Sequence, residues 1–166
     1  QEMRIVNDSY LKKNGISGIK QKIHNVNVSN EDDGSLYFYG SKSFTTADKN
    51  AVKAVAKSVY KNNVSSTDKL GKITIREVDP SEGQAMMDDG SRDWYININN
   101  SLNNNYYDFI NMAVHEKGHG DGNGADPFTH AKVHIKAIKH WSYNKTTDDY
   151  KIFSRGVLKQ YINDDF

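Results

Sequence analysis

The stretch Val114–His130, VHEKGHGDGNGADPFTH, constrains this chain more than any other. It holds His115-Glu116-Lys117-Gly118-His119, then a glycine-rich run from Gly120 to Gly124, then Asp126-Pro127. Residues four apart share one helical face, so a helix through the pentapeptide points both imidazoles the same way. Glu116 lies about 100° around the axis from His115, beside that direction rather than along it. The glycines end the helix. Asp126 followed by Pro127 starts another, with a capping carboxylate and then a proline where its missing N–H costs nothing. Two helices joined by a short hinge are therefore expected, with histidines on both.

HExxH is the smallest helical unit that supplies two metal ligands and a base. At this chain's composition, one chance occurrence is expected on the order of 0.01 times, so coincidence accounts for it poorly. Five of the six histidines fall between His115 and His140, and only His24 lies elsewhere. With no cysteine in the chain, a metal site must be built from His, Asp and Glu. Gly118 fits the same reading: a glycine inside a helix costs about 1 kcal/mol relative to alanine, and a close neighbour would explain it.

A third ligand must come from Asp121, Asp126, His130 or His134. The metzincin spacing HExxHxxGxxH matches as far as Gly122 and then meets Ala125, and no methionine follows the motif. That pattern is set aside. Asp126 is better explained as a helix N-cap, and Asp121 reaches back only through a tight glycine turn. His130, in the first turn of the second helix, is the favoured ligand. His134, one turn on, is a candidate ligand, a hydrogen-bonding neighbour of the site or an oxyanion stabiliser, a role for which Tyr143 is the other candidate. His24 and His140 are left out of the site.

With 22 basic and 21 acidic residues there is no bulk attraction to nucleic acid or membrane. The chain is rich in Asn, Asp, Lys and Tyr but has enough patterned Val, Ile, Leu and Phe for one core. No apolar run reaches membrane-spanning length and none of signal-peptide type opens the chain. It begins at Gln1 rather than Met and is expected to be a processed piece of something longer.

The order of elements predicts an α+β fold in one domain over 1–166, a small, mostly antiparallel sheet packed on the HExxH helix and further helices. IHNVNV (23–28) and SLYFYG (35–40) look like a hairpin. A helix capped by Thr45 and Asp48 presents Val52, Val55, Ala56 and Val59 on one face. Lys72–Val78 and Asp93–Asn99 are strands, with a polar loop between them, and Trp94, Ile96 and Ile98 share a face. A helix from near Asn104 carries the motif. The next places Phe128, Ala131, Ile135 and Ile138 on one face, and a last helix, about Tyr150–Asn163, uses Ile152, Phe153, Val157, Tyr161 and Ile162.

AVHEKGHGDGNGADPFTHAKVHIKAIKHWSYNKTT resembles the zincin-like metallopeptidase domains that end bacterial polymorphic toxins, including Rhs/YD-repeat proteins. Those domains show HExxH, a short loop, a helix beginning with Glu or His, and later a KTT-like segment. Their third ligand falls on His130 and their KTT on Lys145-Thr146-Thr147. The resemblance covers about the last third of the chain well. The upstream LYFYGSK and the capped helix are similar but less specific. Histidine in place of the glutamate of gluzincins is itself a good zinc ligand.

The expectation is a Zn2+-dependent endopeptidase with His115, His119 and His130 on the metal and Glu116 as general base. Asp93–Asn99 would be the edge strand to which an extended peptide adds. The resemblance implies a monomeric toxin or effector, secreted or delivered into a target cell within a larger bacterial protein, with a protein or peptide substrate and a cognate immunity protein. A metal-dependent amidase acting on cell wall or another non-protein substrate is the first alternative. A non-catalytic metal-binding interaction domain is the second, against which the intact Glu116 argues.

Overall fold

The computed structural model describes residues 46–165. The elements, in order, are α1 (Thr46–Asn63), β1 (Ile73–Arg76), β2 (Ala85–Met87), β3 (Trp94–Asn97), α2 (Tyr106–Gly120), α3 (Pro127–Lys139) and α4 (Asp148–Asp165). Short 3-10 turns occupy Pro80–Glu82, Ser101–Asn104 and Trp141–Lys145. The fold is α+β. The hairpin expected at 23–40, the Thr45 cap and His24 lie outside the described residues.

The chain divides into two compact units. One runs to Asp68 and includes Asn104–Tyr106; the other comprises Lys69–Asn103 and Tyr107–Phe166. In the first, α1 buries Val52, Val55, Ala56 and Val59, the face its period predicts. Tyr60 Oη donates to the Asp68 carboxylate at 2.6 Å, tying down the chain that leaves the helix.

The second unit holds a three-stranded sheet in the order β1-β3-β2. β1 runs parallel to β3, pairing Ile73 with Trp94 and Ile75 with Ile96, while β2 runs antiparallel, pairing Met86 with Tyr95. The sheet is mixed rather than mostly antiparallel. Parallel neighbours need a long crossover, and residues 77–93 supply it. The expectation that this segment is only a polar loop was wrong, because it contains β2. Three residues, Ala-Met-Met, are too few to show alternation. The expectation that Asp93–Asn99 forms the edge is also overturned: β3 is paired on both sides. Among the described residues, β1 and β2 are the strands with one neighbour each.

Trp94, Ile96 and Ile98 are all buried, as their alternation predicts. Trp94 packs on Phe109 of α2, with ring centroids 5.9 Å apart. That helix is buried on several sides, so its polar side chains need partners inside. The Asp108 carboxylate accepts from Thr147 N–H at 2.8 Å and from Thr147 Oγ1 at 2.6 Å. Asn111 Nδ2 donates to the Ala137 carbonyl at 2.8 Å and to Ser142 Oγ at 3.0 Å, and its Oδ1 accepts from Tyr150 Oη at 2.9 Å. These bonds fasten α2 to the end of α3, the following turn and the start of α4. Thr147 of the KTT segment is thus a fastener.

Asp126 caps α3 as its sequence predicts, accepting from Thr129 N–H at 3.1 Å, with Pro127 next. The inward face of α3 is only partly the expected one. Phe128 and Ile135 are exposed, while Ala131, Val133, His134 and Ala137 are buried. Likewise α4 exposes Ile152 and Phe153 and buries Tyr150 and Ser154.

Candidate metal centre

Two short-range features bring α3 against the end of α2. The first is Gly118: a Cβ there would lie 2.9 Å from Val133 Cγ2 and 3.0 Å from Cγ1, so only glycine admits the buried valine at this spacing. The second is the hinge. Gly122, at φ 102°, turns the chain in the left-handed region that favours glycine. Asn123 N–H and Nδ2 then donate to the Gly118 carbonyl at 3.2 and 2.9 Å.

The result is a cluster of four histidines. His115 Nε2 lies 3.1 Å from His119 Nε2 and 3.1 Å from His130 Nε2. His115, His130 and His134 offer ring nitrogens all within 4.8 Å of one another. They lie close enough to bind one metal ion. His134 is buried, and its ring centroid is 4.5 Å from that of His115 and 4.8 Å from that of His130.

The nitrogen spacing tests whether a zinc ion fits. Tetrahedral Zn–N bonds of about 2.0–2.1 Å place ligand nitrogens roughly 3.3 Å apart. His119 Nδ1 is 2.8 Å from the Asn123 carbonyl, an acceptor only, so Nδ1 carries the proton and Nε2 presents its lone pair. His130 Nδ1 is 2.6 Å from Tyr161 Oη. A single proton on His115 Nε2 can serve only one of its two neighbours. Burial also holds His115 well below the usual imidazole range, with the other histidines adding to the shift, and it pushes His134 down to about 4. The donor set suits a metal ion.

Glu116 is the remaining member. It is 4% exposed, and one carboxylate oxygen, Oε2, has no hydrogen-bond partner among the described residues. Burial pushes its pKa up to about 8, partly offset by a hydrogen bond from the Met87 backbone N–H. A cation held by the histidines would draw that value down again.

Two cavities meet at these groups. One, of about 300 Å³, is lined by His115, Glu116, His130 and His134 together with Met112, Phe153 and Val157. The other, of about 400 Å³, adds His119, Met86, Asp88, Asp89 and Asn123. Ala85 of β2 borders both.

The remaining candidates lie apart from the cluster. Asp126 spends its carboxylate on Thr129. Asp121 pairs with Arg92 and, at 2.7 Å, with Lys117. Tyr143 is buried, its hydroxyl accepts from Arg155 Nε at 3.0 Å, and it lines neither cavity. His140 caps the turn after α3, accepting from Ser142 N–H at 3.3 Å. Three contributors were missed as site residues: Tyr161, taken for a core residue only, the Asn123 carbonyl and the Met87 N–H. The last two act through backbone, which carries no residue signal.

No protein-family model matches the chain, and no curated protein or solved structure does so either.

Proposed function

We propose that this chain is a zinc-dependent endopeptidase of zincin-like architecture, with His115, His119 and His130 as ligands. The observation that carries the reading is Glu116. A carboxylate buried against three convergent imidazoles, one oxygen anchored by backbone and the other unpartnered, is costly to keep unless it handles protons. Metal binding alone has no use for it.

A zinc ion held by these residues would supply Lewis acidity at the scissile bond. Glu116 Oε2 accepts the proton of the attacking water and returns it to the leaving amine nitrogen. The Asn123 carbonyl holds His119 in the tautomer that leaves Nε2 free to ligate, and Tyr161 fixes the orientation of the His130 ring. His134 closes the inner side of the cluster.

The peptide would be received by β2. Asn97 N–H donates to the Gln84 carbonyl and Asp88 N–H donates to the Asp93 carbonyl, so even-numbered residues bond to β3. By alternation, Ala85 N–H and C=O and the Met87 C=O face away from β3. Among the described residues they form an outer edge beside Glu116, to which an extended segment can add as a strand.

The test is metal content and peptide hydrolysis of the wild type against Glu116→Gln. Hydrolysis should fall by at least about a hundredfold, the usual range for loss of a general base, at unchanged zinc stoichiometry. A Glu116→Gln protein with full activity would remove the reading.

A further inference from the structure

The cluster holds one more histidine than a three-ligand site uses. His134 is 5% exposed, and neither of its ring nitrogens meets a hydrogen-bond partner among the described residues. Buried polar groups are seldom left so. Two of the other rings are held from behind, His119 Nδ1 by the Asn123 carbonyl and His130 Nδ1 by Tyr161 Oη. His134 shows the reverse arrangement, with a pinned backbone and an unheld ring. Val133, just before it, packs against Gly118, and the carbonyl of Ala137, three residues on, accepts from Asn111 Nδ2 at 2.8 Å. The imidazole between these two fasteners can turn about its own side-chain bonds without breaking a hydrogen bond. Its centroid lies 4.5 Å from that of His115, whose Nε2 is already 3.1 Å from those of His119 and His130.

We propose that His134 is an exchangeable fourth nitrogen ligand, giving the metal-loaded protein a closed, four-imidazole resting site that opens when an incoming ligand displaces the ring. The inference rests on the metal site of the proposed function and adds a regulation of it. Structural zinc sites have four protein ligands, whereas catalytic ones have three and an open position. This chain carries donors for both. A ring nitrogen of His134 lies within 4.8 Å of those offered by His115 and His130, against roughly 3.3 Å between nitrogens sharing one tetrahedral ion. A small rotation of the unheld ring covers that difference. The cavity of about 300 Å³ that His134 lines with Glu116 gives the ring space to withdraw into. Exchange moves a neutral imidazole, so no charge is separated. With the ring turned in, the fourth position is filled and Glu116 has no reactant beside it. A peptide entering the cavity they share competes with His134 for that position.

X-ray absorption on the zinc-loaded wild type counts bound imidazoles and needs no variant. Four are expected; three would overturn the inference and leave the three-ligand site intact. The count should fall to three in His134→Gln, and four imidazoles in that variant would also overturn it. The visible spectrum of the cobalt-loaded protein reports exchange, with azide as the probe. Azide should bind His134→Gln about tenfold tighter than wild type, the factor expected where the closed form holds about nine-tenths of the population. Saturating azide should lower the wild-type count from four to three. Equal azide affinity in the two proteins, or azide bound with four imidazoles retained, would refute displacement. Four imidazoles, one of them displaced by azide, in a protein that hydrolyses no peptide would instead strike the peptidase reading and leave the exchange standing.

Discussion

Tyr161 Oη stands 2.6 Å from His130 Nδ1, joining the last helix to the histidine that α3 aims at His115. Removing that hydroxyl leaves His130 free to change tautomer and to rotate. Tyr161→Phe should weaken zinc binding by about ten- to a hundredfold, the usual effect of losing a partner behind a metal ligand. Competition with a chromophoric chelator measures it. An unchanged affinity would mean that packing alone orients His130.

Gly118→Ala separates packing from helix propensity. Alanine in a helix gains about 1 kcal/mol over glycine, whereas crowding a filled core costs about 1–3 kcal/mol. Val133, buried at 1% exposure, has nowhere to retreat, so crowding prevails. The variant should melt lower than wild type and bind zinc less tightly, because α3 carries His130 outward. Adding Val133→Ala should restore metal binding. A Gly118→Ala protein that melts higher would refute the close approach.

Asp126→Ala distinguishes a cap from a ligand. Loss of the N-cap should lower the melting temperature modestly, with zinc stoichiometry and affinity unchanged. A large drop in zinc affinity without a matching loss of stability would return Asp126 to the ligand set.

The metal-free protein should lose stability in acid through its histidines. His115, His130 and His134 are each held below the ordinary value of 6.5, chiefly by burial, with His134 at about 4. Protons therefore bind the unfolded chain first: the contribution is fully present above pH 6.5 and is lost as pH falls through about 4. Glu116 has the opposite sign. Its folded pKa of about 8 exceeds the ordinary 4.5, so its contribution is present below 4.5 and lost as pH rises through about 8. Thermal unfolding in a Glu116→Gln background removes that opposing titration. The melting temperature should then fall in acid, and His134→Asn should flatten the fall. An identical pH profile with and without His134 would contradict the burial argument.

Local rules made much of the site legible. HExxH spacing, the Asp126-Pro127 start and the placement of His130 in the first turn of α3 are short-range statements, and the cluster assembles around them. The face of α3 was misread for a physical reason. A hydrophobic period counts histidine as polar and so selected Phe128 and Ile135, although His134 is buried. Tyr161 carries no local sign of its role because its partner lies far back in the chain. β2 escaped notice because an edge is a relation between strands, and three residues show no alternation.

The Met87 N–H that anchors Glu116 belongs to the strand proposed to receive the peptide. Two events that sound separate, seating a chain on an edge and setting a proton affinity, then share one peptide unit. A shift of that unit as a strand docks would lengthen or tighten the bond to the carboxylate, and a change of charge on the carboxylate would alter how firmly that unit is held. By thermodynamic reciprocity, docked peptide and bound proton are each other's effectors across a single residue.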